Sequence, residues 1–82
     1  MEYLVFSADW EEDVKAESFQ DATLIGTKFA YERLGEKFNI AHVVCAKNKA
    51  TGEIDIFSSV AVFEDLNMYI IAKNLDEVLK NL

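Results

Sequence analysis

The sequence predicts an α+β domain in which a small antiparallel sheet of about four strands carries two helices on one face, in the order ββαββα. Three observations support this prediction. Short apolar or alternating segments stand before and after a central amphipathic segment, a polar NKATG segment separates two of them, and a second amphipathic segment follows near the C-terminus. The order of the strands within the sheet stays open.

The first two strands are predicted at residues 3–8 and 13–17, with a polar turn at 9–12 between them. Because side chains alternate along a strand, Tyr3 and Val5 face the same side of the sheet. This places the chain's first hairpin at its N-terminus.

The first helix is predicted over residues 18–34. Ser18 is a typical N-cap residue, with Asp21 three positions later as in a weak capping box. Gly35 follows where a left-handed C-terminal cap is expected, and Gly26 in mid-helix is expected to let the helix lie close to the sheet. The face predicted to pack on the sheet consists of Ala22, Ile25, Phe29, Ala30, Arg33 and Leu34.

Two further strands are predicted at residues 39–47 and 53–63, joined by a hairpin turn that contains a glycine. A second helix is predicted from its cap at Asp65 to the C-terminus. An alternative interpretation makes residues 67–73 a strand and restricts the helix to 75–82.

Length and cysteine usage limit the classes of function. A chain of 82 residues is expected to form one domain, residues 1–82, with little room for an enclosed active site beside a core. No apolar run reaches the roughly 20 residues of a membrane helix, and the N-terminal segment lacks the features of a signal peptide. Cys45 is the only cysteine, so an intrachain disulfide is excluded, which suits a reducing cytoplasm.

The net charge of −7 favours a basic partner. Nucleic acid and anionic lipid carry charge of the same sign, so direct binding to either, and hence to a membrane, is disfavoured. The expected partner is therefore a basic surface of a host protein, including a protein that itself holds nucleic acid.

Carboxylates crowd into residues 9–21, which we call the acidic segment. It holds six acids and one lysine, so it carries −5 of the net charge. Carboxylates at about 6.6 Å spacing on one side of an extended segment can stand in for a row of phosphates, and tryptophan is enriched at binding hot spots. The predicted partner contacts are Asp9, Trp10, Glu11, Glu12, Asp13 and Glu17.

Two other interpretations of the acidic segment compete with this one. It can be a solvated turn and helix start, where the helix dipole favours Glu17 and Asp21. It also begins like a calcium loop, with acids at alternate positions from Asp9. That loop requires glycine at its sixth position and glutamate at its twelfth, and Val14 and Gln20 stand there. No metal site is therefore predicted.

The predicted strands hold more apolar residues than one small core needs. An antiparallel sheet with one solvated face alternates apolar with polar residues, whereas three of these strands are apolar on both faces. Small domains expose single apolar residues routinely, but an apolar open face is typical of an interface, which a homodimer covers with a second copy. The predicted sheet-face or dimer contacts are Tyr3, Val5, Phe57 and Phe63.

The residues needed for catalysis or cofactor binding are sparse. His42 and Cys45 are three residues apart, so on a strand they face opposite sides and cannot pair as base and nucleophile. They are also too few to bind zinc, and the glycines are too far apart for a phosphate loop. We predict a protein without cofactor that is not an enzyme.

The combination of small size, acidity and a single α+β domain is similar in type to phage and mobile-element inhibitors, including anti-CRISPR proteins and DNA mimics. The similarity involves no specific residues. It implies an inhibitor or regulator that occupies a basic surface of a host protein. The alternative prediction is a homodimeric structural or accessory module that uses the open face of the sheet.

Overall fold

The structure, a computed structural model, describes residues 1–80, with the side chains of 1–68 and of Lys80. The strands form one antiparallel sheet in the order β2-β1-β3-β4, so the predicted α+β class and the order ββαββα are confirmed. The sheet order, which the sequence left open, makes β2 and β4 its two edges. The elements are β1 (Glu2–Ser7), β2 (Trp10–Lys15), α1 (Phe19–Leu34), a 3-10 turn (Gly35–Lys37), β3 (Val43–Asn48), β4 (Ile54–Ser58) and α2 (Ser59–Lys80).

The first hairpin turns over two residues, Ala8 and Asp9, and Ala8 has a left-handed backbone with a φ of 48°. The predicted turn at 9–12 is therefore wrong, because β2 already begins at Trp10. The polar DWEE sequence resembles a turn, but Trp10 pairs with Ser7 across the hairpin. Strand pairing extends β2 into the segment that looked most like a turn.

The ends of α1 agree with the prediction. The Ser18 hydroxyl accepts a hydrogen bond from the Asp21 backbone N–H at 3.1 Å, which satisfies one of the amides left free at a helix start. At the other end Gly35 has a φ of 55° and its N–H donates to the Tyr31 carbonyl. Both caps follow from local chemistry.

The face of α1 that packs on the sheet differs from the prediction. Phe29 is 45% exposed and Ile25 only half-buried, because the helix lies on the sheet through small side chains. A Cβ atom added at Gly26 would stand 2.6 Å from the Cβ of Val5, so only glycine permits this close approach. The buried residues of α1 are Ala22, Thr23, Gly26, Thr27 and Ala30.

The second hairpin is confirmed at residues 49–52, and Gly52 has the positive φ, 79°, that its turn requires. The strands around it are shorter than predicted, and the 53–63 segment changes from strand to helix at Ser59. Asp65 consequently lies inside α2 and not at its cap. The alternative of a strand at 67–73 is wrong, because those residues are helical.

Packing explains why the strand stops at Ser58. Val62 and Leu66, four residues apart, are both buried, which is the spacing of one face of a helix. Ser59 closes the last rung of the ladder by donating its N–H to the His42 carbonyl at 2.9 Å. Ser59, three residues before Val62, is buried as well, and a strand would have placed these two residues on opposite faces.

The core lies between the sheet and the helices, both of which pack on one face, as predicted. Tyr3 and Val5 stand at its centre, 1% and 0% exposed, and the Tyr3 ring meets Phe19 of α1 edge-on, with ring centroids 5.2 Å apart. Within residues 1–80, no helix is both long and apolar enough to cross a bilayer. The buried apolar residues of the main cluster are Tyr3, Val5, Trp10, Val14, Ala22, Ala30, Val44, Ala46 and Val62.

Candidate protein-binding surface

The side of the sheet away from the helices, which we call the open face, carries the side chains that alternate with the core residues. The strand register aligns them in rows across the sheet. One row begins at Glu11 on β2 and ends at Ile56 on β4, and the next runs from Asp13 to Ile54. The open face consists of Glu2, Leu4, Phe6, Glu11, Asp13, Lys15, Val43, Cys45, Lys47, Ile54, Ile56 and Ser58.

Two of the predicted partner contacts, Glu11 and Asp13, lie together on this face, and both are exposed. They are two residues apart on an extended strand, so their side chains project from the same side about 6.6 Å apart. Asp9 is exposed in the adjoining turn. Of the predicted row of three carboxylates, two therefore share one side of β2, whereas Asp9 lies in the turn outside the strand.

Trp10 does not belong to this surface, and its prediction as an exposed partner contact is wrong. It is 5% exposed, its indole N–H donates to the Asn39 carbonyl at 2.6 Å, and its ring stacks on Phe38 with centroids 6.0 Å apart. Alternation along β2 gives the reason, because a residue between Asp9 and Glu11 faces the opposite side of the sheet.

Glu12 also faces the helices. Its carboxylate accepts a hydrogen bond from Nε of Arg33 at 2.6 Å, and its side chain is only 17% exposed. This ion pair joins β2 to the last turn of α1, so Glu12 has a structural partner. Glu17 is exposed in the bend before α1, separate from the carboxylates of β2.

Asp13 forms an ion pair with Lys49, which stands in the turn after β3. The hydrogen bond to Asp13 raises the pKa of the Lys49 ammonium, and the charges of Glu2 and Glu11 act in the same direction. Lys49 therefore neutralises part of the acidic row. Among the described residues, Glu11 forms no ion pair, and its side chain is exposed to solvent.

The open face becomes apolar toward β4. Its middle holds the half-buried side chains of Leu4, Phe6 and Cys45. At the β4 side Ile54 is 53% and Ile56 61% exposed. The surface thus changes across the sheet from carboxylates at one edge to isoleucines at the other.

The open face is apolar only in its middle and toward β4, and the residues predicted as its contacts do not lie on it. Tyr3 and Val5 form the centre of the core. Phe57 is half-buried against the same core, and Phe63 belongs to α2, where its ring contacts Phe38 with centroids 6.3 Å apart. When both faces of a strand are apolar, alternation alone does not show which one the helices cover.

The charged residues that lie beside Leu4 and Phe6 in the sheet indicate which face is solvated, and the sequence alone did not reveal this arrangement. Glu11 and Asp13 flank Phe6 and Leu4 in the register, and Lys47 lies beside Leu4 on the other side. Charged residues in the same rows mark that face as the solvated one. The signal is readable only after the register is known.

The groups that could do chemistry stay apart. His42 is exposed just before β3, while Cys45 is half-buried on the open face. Within the part of the chain that the structure describes, no three residues of the types His, Cys, Asp and Glu are placed to hold a metal ion. What the open face presents to solvent is carboxylates at the β2 edge and isoleucines at the β4 edge.

Comparison of the chain with protein-family models, with curated proteins and with solved structures finds no match.

Proposed function

We propose that this chain is a small, acidic, non-catalytic protein-binding domain. In this proposal it acts in the cytoplasm as an inhibitor or regulator that occupies a basic surface of a host protein. The observation that carries the proposal is the pair of exposed carboxylates, Glu11 and Asp13, on the open face of β2, continued by Asp9 in the turn. The similarity in type to anti-CRISPR proteins and DNA mimics supports an inhibitor or regulator.

The surroundings of the carboxylates support a protein as the partner. Leu4 and Phe6 are half-buried beside them in the same rows. Protein interfaces combine an apolar centre with a polar rim, and the open face offers both within neighbouring strands. The carboxylates would orient a basic partner and the apolar side chains would exclude water from the contact.

The charge distribution supports a basic partner. The acidic segment carries −5 of the net −7, and Glu11 and Asp13 present part of it on one edge of the sheet. Such a field raises the association rate with a cationic surface and repels nucleic acid. The complex is expected to weaken as salt rises, because exposed charges are screened beyond about 10 Å at 0.1 M salt.

A charge-neutralising variant tests the proposal. Glu11→Gln combined with Asp13→Asn removes both carboxylates of β2 at constant shape, and Glu36→Gln combined with Glu64→Gln makes the same charge change at exposed sites elsewhere. Immobilised wild type and both variants are incubated with a lysate of the native host, and retained proteins are identified by mass spectrometry. A basic protein held by the wild type should stay on the control and be lost from the β2 variant.

The affinity of that protein is then measured by calorimetry. The β2 variant should bind roughly tenfold more weakly, as expected when about 1.4 kcal/mol is lost, while its thermal unfolding matches that of the control. Equal affinity of the wild type and both variants would contradict the proposal.

A second candidate function is a homodimeric structural or accessory module that uses the open sheet face. The observation that favours it is the exposure of Ile54 and Ile56 on neighbouring positions of that face. Sedimentation analysis over a wide concentration range tests it, and a chain that stays monomeric throughout would exclude it.

A further inference from the structure

The backbone of β4 has one free side. In an antiparallel ladder, residues alternate between those that bond to the neighbouring strand and those whose N–H and C=O groups point away from it. Two hydrogen bonds set this alternation, from the Asn48 N–H to the Glu53 carbonyl at 2.8 Å and from the Ser59 N–H to the His42 carbonyl at 2.9 Å. The groups that point away from β3 are therefore those of Ile54, Ile56 and Ser58.

The contact of Ile56 agrees with this assignment. Its N–H donates to the carboxylate of Asp55, its own neighbour, at 3.0 Å. No strand within residues 1–80 pairs with this side of β4. The edge thus offers a row of backbone donors and acceptors, of which one is occupied by an exposed side chain.

The edge formed by β2 differs from the β4 edge because its outward-pointing residues carry charged side chains. The mutual hydrogen bonds between Met1 and Ala16, at 3.0 and 3.1 Å, set its alternation. The groups that point outward belong to Glu11, Asp13 and Lys15, all charged. Charged side chains on an edge strand oppose pairing with another strand. In β4, which reads IDIFS, Asp55 is the only charged residue.

We propose that β4 pairs antiparallel with β4 of a second copy of this chain, about a two-fold axis at Ile56, to form one continuous sheet of twice the width. This inference rests on the second candidate function in taking the chain to be a homodimer, and it places the interface at the β4 edge, beside the apolar end of the open face. Ile56 stands opposite the partner's Ile56, and Ile54 opposite the partner's Ser58. Every outward N–H of β4 then faces a carbonyl of the partner strand, and every outward carbonyl faces an N–H.

The side chains suit this register. The exposed isoleucines of both copies join into one apolar strip on the open face, where cross-strand apolar pairs stabilise a sheet. Asp55 stands opposite the partner's Phe57, so the two carboxylates lie on a diagonal and not face to face. The strand is self-complementary in its backbone groups and apolar contacts, and the two Asp55 carboxylates do not stand directly opposite each other.

The distribution of charge permits two acidic copies to associate. The acidic segment lies at the β2 edge, three strands away from β4. With strands about 4.8 Å apart, the two β2 strands of the dimer are separated by roughly 34 Å. That is about three times the screening length at 0.1 M salt, so the acidic rows repel each other weakly. Both rows also stay exposed for a basic partner.

The test is sedimentation velocity on the full chain and on two matched variants. Ile56→Lys and Met68→Lys both replace an exposed apolar residue and both bring the net charge from −7 one unit nearer to neutrality. The wild type and Met68→Lys should dimerise alike. Ile56→Lys should raise the dimer dissociation constant at least tenfold, because the axis places two ammonium groups opposite each other. Circular dichroism confirms that each variant is folded.

A crosslinking experiment tests the register. In a Cys45→Ser background, Ile56→Cys should form an intermolecular disulfide under mild oxidation, because residues opposite each other in a hydrogen-bonded pair have Cα atoms about 5.5 Å apart. Ile54→Cys should not, since its opposite residue is the partner's Ser58. Higher salt should strengthen the dimer, whereas it weakens binding to a basic partner.

The outcomes separate the proposals. A wild type that is monomeric at every concentration overturns both edge pairing and the second candidate function. A dimer that survives Ile56→Lys, or that crosslinks in the Ile54→Cys variant and not in the Ile56→Cys variant, overturns edge pairing and leaves a face-to-face dimer. Neither result changes the expected loss of a basic partner in the Glu11→Gln and Asp13→Asn variant.

Discussion

The two edge strands, β2 and β4, belong to the same hydrogen-bonded sheet but expose side chains of opposite character. On β2 the exposed open-face residues are Glu11, Asp13 and Lys15, whereas on β4 they are Ile54, Ile56 and Ser58. A charged edge resists pairing with another strand and attracts a surface of opposite charge. An apolar edge with free backbone groups is suited to strand pairing. The contrast teaches that one small sheet can carry two edges of different chemistry, separated by the two central strands.

The two edges also differ in how they are held to the rest of the domain. The Glu12–Arg33 ion pair and the buried Trp10 fasten β2 to the helix side. On β4, Phe57 is the half-buried residue and its neighbours are exposed. On β2 the side chains that face the helices are therefore anchored, whereas most of the β4 side chains are exposed to solvent.

The largest expected effect is on stability and comes from Trp10. Trp10→Ala removes a buried aromatic side chain and its hydrogen bond to Asn39, and it should lower the free energy of unfolding by about 3–5 kcal/mol. Glu11→Gln on the same strand should change it by less than about 0.5 kcal/mol. Urea denaturation measures both. Equal effects would mean that the two faces of β2 are not distinct.

A smaller effect is expected at the apolar edge from Asp55, whose carboxylate accepts the outward N–H of Ile56. Asp55→Ala frees that amide and removes a charge beside the two-fold axis. The dimer should become roughly threefold to tenfold tighter, equivalent to about 1 kcal/mol. Glu36→Ala, with the same charge change at an exposed site away from β4, should have little effect. Sedimentation velocity compares them, and a weaker dimer in Asp55→Ala would contradict edge pairing.

The smallest effect is expected at the acidic edge from Lys49. Lys49→Ala releases the Asp13 carboxylate from its ion pair, and a basic partner should bind a few-fold more tightly because its cation no longer competes with Lys49. Lys37→Ala, at an exposed site on the 3-10 turn, is the charge-matched control. Calorimetry with the captured partner measures both. Identical affinities would show that Asp13 lies outside the contact.

The ion pair of Lys49 also predicts a pH dependence. The hydrogen bond to Asp13 raises the pKa of Lys49 above its ordinary value of 10.5. A group with a raised pKa in the folded state contributes its stabilisation below the ordinary value, and the contribution is lost as the pH rises through the folded pKa. A slight loss of thermal stability in strongly alkaline solution, absent in Lys49→Ala, is expected.

The sequence by itself determined the features that depend on neighbouring residues. The Ser18 cap, the glycine at position 35 and the turn around Gly52 were all predicted, because hydrogen bonds and steric limits within a few residues produce them. A close approach at Gly26 was also predicted, from the absence of a side chain, but its contact with Val5 of β1 is a tertiary one. The concentration of charge in the acidic segment is likewise a property of the chain alone.

Only the tertiary structure decided which side chains form surfaces. The sheet order and the register join strands that are far apart in the chain, such as β1 and β3, and they alone make Tyr3 core and Ile56 an exposed edge residue. Trp10 shows the reason. Its neighbours are acidic, but alternation turns it toward the helices, and a shift of one residue in the register would have exposed it. Local patterns specify elements, whereas burial depends on where distant elements meet.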